Sequence, residues 1–168
     1  TTDAVMNFTL VGFFLFFAVG MILFGPISDK YGRRPVFTAG IIIYGISCVL
    51  CGISVNIVFL ILMRILQALG AGCMISVTTA MIKDQFTGKA QGTVLSISQI
   101  FGVLGPVIAP LIGAQIYRLA GWRATFFVLA GVAVLFLITS FLLSETLPED
   151  KRLDTGIAGS FKGIGSVV

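Results

Sequence analysis

Arg64 is the single charge well inside an apolar run of this chain, and Gln67 stands one helical turn further on. A guanidinium is always charged and carries five donors in a planar fork. At the centre of a bilayer an arginine costs about 2.5–3.5 kcal/mol on insertion scales, so Arg64 is expected to face a wet or polar interior. Ala71, Met74 and Thr78 share its helical face, which reads as the wall of a cavity for apolar or cationic-amphipathic solutes. Ser96 and Gln99 of the following span are expected to contribute from across that cavity. If the Arg64 span starts near Ile57, seven residues at about 1.5 Å each put its Cα roughly 10 Å below the membrane boundary. The plain alternative is an interface anchor that snorkels to water.

A second constellation is Gly25-Pro26-Ile27-Ser28-Asp29-Lys30-Tyr31-Gly32-Arg33-Arg34-Pro35, expected as a tight, charge-dense loop between two long apolar runs. With the first run ending near Ile27, Asp29 lies at a helix C-terminus, where the macrodipole is already negative. Arg33 and Arg34 lie at a helix N-terminus, where it is positive. Each placement is unfavourable by about 0.3–1 kcal/mol at an exposed helix end, so the charges are expected to pair with one another or with a neighbouring helix. Gly32 permits a left-handed turn, and Pro35 suits the first position of the next helix. A basic loop that merely fixes orientation is the plainer reading.

Other chemistry finds little support. The chain has no histidine, which removes the commonest general base and metal ligand. Cys48, Cys51 and Cys73 lie inside apolar runs and read as small buried hydrophobes, with no metal site and no redox pair expected. Gly88-Lys89-Ala90 lacks the partner glycine and hydroxyl of a phosphate loop, which argues against an ATP-driven pump. No constellation supports enzymatic chemistry, and no cofactor is called for.

These residues must be positioned by helices that cross a membrane. Of 168 residues, 57% are hydrophobic and 11% charged, and the mean hydropathy is +1.08. A soluble domain carries about 25% charged residues. The apolar residues fall in five spans, about 4–27, 36–55, 57–82, 91–117 and 124–143, each long enough for about 30 Å of hydrocarbon. The fold class is therefore all-α integral membrane. Residues 1–144 form the transmembrane bundle, and 145–168, rich in Gly and Ser, read as the start of a cytoplasmic linker. The net charge of +4 reports orientation and headgroup contact, with no nucleic-acid partner. Lys30, Arg33, Arg34, Lys83, Lys89, Lys151, Arg152 and Lys162 fall on one side, and Arg118 and Arg123 on the other. The positive-inside rule puts Thr1 outside and the C-terminal tail in the cytoplasm, with Trp122 and Tyr117 in the outer interfacial belt. The chain opens Thr-Thr-Asp, so it reads as a piece of something larger.

Two spans carry small residues four apart, which allow close backbone approach between membrane helices. They are Ala68, Gly72, Ser76 and Ala80 in the third, and Gly105, Ala109 and Gly113 in the fourth. Pro106 and Pro110 each remove a backbone hydrogen bond from the fourth, so a kinked or bendable helix is expected there.

Three motifs in order resemble the major facilitator superfamily. Gly25-x-Ile27-x-Asp29-Lys30-x-Gly32-Arg33-Arg34 is similar to its cytoplasmic motif between helices two and three. Arg64-x-x-Gln67-Ala68-x-Gly70-Ala71-Gly72 is similar to its helix-four motif, with Ala68 where Gly is usual. Gly105-Pro106-x-x-Ala109-Pro110-x-x-Gly113 resembles the helix-five motif of exporters that exchange drugs for protons, with Ala109 and Pro110 where two glycines are common. Together with Gly121-Trp122-Arg123-Ala124-Thr125-Phe126-Phe127 and Glu145-Thr146-Leu147-Pro148, this variant looks most like the bicyclomycin-resistance branch of bacterial drug:proton antiporters. The resemblance runs from about Asn7 to Arg152. It implies helices two to six of a six-helix N-terminal bundle, with helix one and the C-terminal half as missing partners. It also implies a multi-pass protein of the bacterial cytoplasmic membrane, monomeric when complete, with a small-molecule substrate and the proton as coupling ion. Gly25, Asp29, Gly32, Arg33 and Arg34 would form a conformational switch, and Arg64 and Gln67 would couple the proton. No acidic residue lies within any span, so the proton carrier is expected outside this chain. A proton-linked uptake carrier of the same superfamily, or a truncated membrane protein that transports nothing, are the competing readings.

Overall fold

A computed structural model describes residues 2–142, with side chains from residue 9 onward. The expected linker at 145–168 and the Glu145-Thr146-Leu147-Pro148 motif lie outside the described residues. Five helices follow one another: α1 Thr2–Tyr31, α2 Arg33–Gly52, α3 Ile57–Gln85, α4 Gly88–Ala120 and α5 Trp122–Leu142. Each is long and apolar enough to cross a membrane.

The charged segment after Gly25 is almost wholly helical, which corrects the expectation of a loop. Helix α1 runs through Pro26 to Tyr31, and α2 begins at Arg33. Only Gly32 breaks the path, at φ 97° and ψ 154°, a region open to glycine alone. Pro35 is therefore the third residue of α2 rather than its first. An early proline is tolerated because first-turn N–H groups have no intrahelical acceptor. The third and fourth links are also shorter than hydropathy suggests, because polar helix ends project past the apolar stretch. Phe86 and Thr87 alone separate α3 from α4, and Gly121, at φ 80°, alone separates α4 from α5. Helix α3 starts as expected, with the Asn56 side chain accepting from the Val58 N–H at 3.0 Å.

Helix α3 is the hub, with α1 and α2 packed along it, α5 behind α2, and α4 reaching α5 and the edge of α3. Small residues make the hub close-packed. A Cβ on Gly72 would overlap the Phe17 carbonyl and come within 2.9 Å of the Met21 nitrogen, while one on Gly20 would meet the Leu69 carbonyl at 2.9 Å. On the other flank, a Cβ on Gly70 would meet the Gly40 carbonyl and the Tyr44 nitrogen, both at 2.9 Å. With little hydrophobic drive between helices in lipid, such backbone contact is what association rests on. Helix α4 behaves differently. None of its residues is buried, and a Cβ on Gly105 or Gly113 would meet nothing within 4 Å. Its small stripe packs on no other described residue, and the helix runs unbroken through Pro106 and Pro110.

Helices α2 and α5 are pinned by polar contacts at both ends. The Ser140 hydroxyl lies 2.6 Å from that of Thr38, which donates to the Arg34 carbonyl. At the opposite end, Arg123 donates to the Ser54 carbonyl at 3.0 Å.

Candidate functional site

At the α1–α2 junction two of the three helix-end charges named by the sequence, Asp29 and Arg33, are brought together, with a third, Asp84, that it did not single out. Arg33 donates from Nε to Asp84 Oδ2 at 2.8 Å and lies 2.5 Å from Asp29 Oδ1 through Nη1. The same nitrogen donates to the Ser28 hydroxyl at 2.6 Å, and Ser28 in turn donates to the Gly25 carbonyl. Asp84 is the penultimate residue of α3, so two carboxylates at helix C-termini meet an arginine at a helix N-terminus. Three placements that each cost free energy alone become favourable together. The Arg33 side chain is 8% exposed, against 34% for Asp29 and 24% for Asp84. Val36, Cys73, Val77 and Met81 form an apolar plug beneath it, with Phe24, Ile27 and Phe37 packed around them. A polar cleft of about 380 Å³ between α1 and α3 opens onto Asp29, Arg33 and Asp84. Arg34 turns away and donates to the Phe141 carbonyl at 3.1 Å.

Arg64 lies toward the other end of the bundle, seven residues into α3. Its Nη1 donates to Gln67 Oε1 at 2.9 Å, and Gln67 Nε2 donates to the Cys48 sulfur at 3.0 Å. The guanidinium carbon lies 4.9 Å from the Phe13 ring centre and 5.6 Å from that of Phe126. Thus α1, α3 and α5 meet around one cation with only neutral groups against it among the described residues.

The remaining candidates divide. Gln67 is 1% exposed and bonded to α2, so it is a packed link rather than an open cavity wall. Met74 and Thr78 are half-buried on α3, whereas Ser96 and Gln99 are exposed on α4. Gly105, Pro106, Ala109 and Pro110 are exposed too, and Gly113 is half-exposed. Cys48, Cys51 and Cys73 are free thiols with no exposure, as expected of small core residues. Asp84, Ser28, Phe13 and Phe126 were not foreseen. For Asp84 a signal existed, since it ends α3 on the side where Arg33 starts α2.

The Major Facilitator Superfamily description matches residues 1–166. This chain belongs to that superfamily. Among its relatives is an uncharacterized MFS-type transporter, YdgK of Bacillus subtilis (strain 168), 33% identical over 153 residues. That match covers 89% of this chain and 38% of the relative. The multidrug resistance protein MdtL of Escherichia coli is 34% identical over 133 residues, covering 78% of this chain and 34% of MdtL. The solved structure of the proton:xylose symporter XylE superposes with a TM-score of 0.76 at 19% identity, over 86% of this chain and 36% of that one. The superposition shows a shared fold. The chain spans little more than a third of the length of these relatives. Members of the superfamily are membrane transporters of small molecules, not enzymes, and the five spans place this chain in a membrane.

Proposed function

We propose that this chain is the part of a secondary active transporter that carries one side of an alternating-access site, exporting drugs or other small amphipathic compounds in exchange for protons. The observation that carries the reading is Arg64, a half-buried cation held by an amide and two ring faces, with no carboxylate against it among the described residues. Such a cation is poised to receive an acidic group or a substrate dipole contributed from elsewhere in the whole transporter. Drug-resistance relatives such as MdtL favour export, as does the Gly-Pro-x-x-Ala-Pro variant in α4. In this reading the Arg33 end faces the cytoplasm and the Arg64 end faces outward.

The Arg33 cluster would act as the latch of the cycle. Rocking of this bundle against its partner half opens the cavity to either side, and Asp29 would exchange between Arg33 and the partner half as it does so. The deciding experiment uses inverted vesicles of cells expressing the whole protein, with a proton gradient imposed. Adding an amphipathic drug is expected to collapse the gradient, and drug uptake is expected to need it. If solute and protons moved in the same direction, the uptake-carrier reading would replace this one.

A further inference from the structure

The face between α2 and α5 holds an apolar groove that no part of the transport reading uses. Its volume is about 460 Å³, its floor is Gly45 and Ala133, and its walls include Ile46, Val49, Val134 and Leu137. A Cβ on Gly45 would already lie 3.2 Å from that of Ala133, so the helices touch at the floor and splay above it. One end is closed by the Thr38–Ser140 hydroxyl contact. The other end points along α5 toward Arg123, with the Phe127 ring between them, 3.0 Å from where a Gly52 Cβ would be.

Arg123 and Trp122 give that open end a particular chemistry. Arg123 is exposed, donates one bond to the Ser54 carbonyl, and lies 4.8 Å above the Trp122 ring. A guanidinium has five N–H donors, so most of its fork remains available for an anion. Residues 53–58 and 117–127, which make up this end of α2, α3, α4 and α5, contain no Asp or Glu, and Arg118 adds a second cation. An amphipathic aromatic beside a cation is the signature of the headgroup level.

The geometry points to a bound anionic phospholipid, with one acyl chain in the α2–α5 groove and its phosphate on Arg123. The dimensions agree in two ways. On α2 the lining runs from Ile41 to Leu50, nine residues or about 14 Å at 1.5 Å each, close to half of about 30 Å of hydrocarbon. Fourteen residues of α5 separate Arg123 from Leu137, about 21 Å at 1.5 Å per residue. Half a bilayer including its headgroups measures about 20–22 Å. Headgroup, glycerol and chain are therefore met in order by Arg123, Phe127 and the groove.

The test is photolabelling of the whole protein in bilayers doped with phosphatidylglycerol or phosphatidylcholine bearing a diazirine on the acyl chain, with labelled peptides mapped by mass spectrometry. Phe101, 69% exposed on α4, serves as the reference outside the groove. One arginine at an anionic headgroup is worth about a fivefold preference, so groove labelling by the glycerol lipid should exceed that by the choline lipid by about that factor, with no such ratio at Phe101. A Cβ on Gly131, which lines the groove, meets nothing within 4 Å. Gly131→Leu therefore fills the groove without pressing on protein, and should abolish the excess labelling there alone. Arg123→Gln should bring the ratio to one while leaving chain labelling in place. Should Arg123→Gln fail to fold, Arg123→Lys tests the same ion and should keep most of the preference. Equal labelling of the groove and Phe101 by both lipids would overturn the proposal, leaving only bulk contact. An unlabelled groove would also overturn it, and a disulfide between two Ile46→Cys copies would then identify a second copy as the occupant.

Discussion

Two arginines of this bundle, Arg33 buried and Arg64 half-buried, sit in opposite surroundings. Arg33 is held by two carboxylates and a hydroxyl, at the cost of tying α1, α2 and α3 into one knot. Arg64 has a neutral amide and two aromatic faces, and its charge is solvated without being neutralised. The difference separates two uses of a membrane cation. A neutralised one fixes helices in place, whereas a cation with only neutral neighbours keeps most of its attraction for a carboxylate that arrives later. The first should read out as stability and the second as activity.

The sharpest break is Arg33→Ala. Removing one partner of a buried pair leaves the others uncompensated, and breaking such pairs costs about 3–5 kcal/mol. Both carboxylates are partly exposed, so a loss of about 3 kcal/mol is expected, measured as a drop in the thermal unfolding midpoint in detergent. Next comes Arg64→Ala. It should leave that midpoint within a few degrees of wild type and abolish proton-coupled export by the whole protein. If Arg64→Ala unfolds the bundle instead, the contrast between the two sites is lost.

A third variant converts one site into the other. Gln67→Glu supplies Arg64 with a carboxylate at the position of the 2.9 Å hydrogen bond. It should cut the transport rate about tenfold, a barrier increase near 1.4 kcal/mol, while the unfolding midpoint changes little, because the new ion pair is offset by desolvation and by loss of the bond to Cys48. Unchanged transport would show that Arg64 need not be left without a counter-charge. Arg64→Lys should restore coupling only in part, because an ammonium lacks the fork and stacks less well on rings. Full restoration in the same flux assay would reduce Arg64 to a point charge. The smallest effect is expected from Phe126→Leu, which removes the more distant ring at a cost of about 0.5–1 kcal/mol, visible as a slight fall in the unfolding midpoint.

Much of this arrangement is legible in the sequence, and the limits are physical. Five apolar runs give five helices because bilayer thickness fixes their length, and Gly32 shows itself as a break because few residues tolerate its backbone angles. That Asp29 and Arg33 need partners follows from their helix ends. That Asp84 is the second partner does not, since 51 residues separate it from Arg33 and only the packing of α3 closes the gap. Gln67 sits on the predicted face, one turn from Arg64, yet its amide turns to Cys48 on α2. Helical spacing ranks faces without saying which neighbour covers them. The small stripes of α3 and α4 look alike as sequence. Only the first meets other backbones among the described residues, because a glycine marks where approach is allowed and carries no address for the approaching helix.

The joint at Gly32 has a last consequence. With one residue between two helices there is no slack to absorb an error in phase, and each residue of a helix turns it by about 100°. Deleting or adding a single amino acid at this joint would swing Gly40 away from Gly70, Thr38 away from Ser140, and Arg33 away from both aspartates at once. The residues on either side of this glycine can change, but neither the glycine nor the length of the joint can.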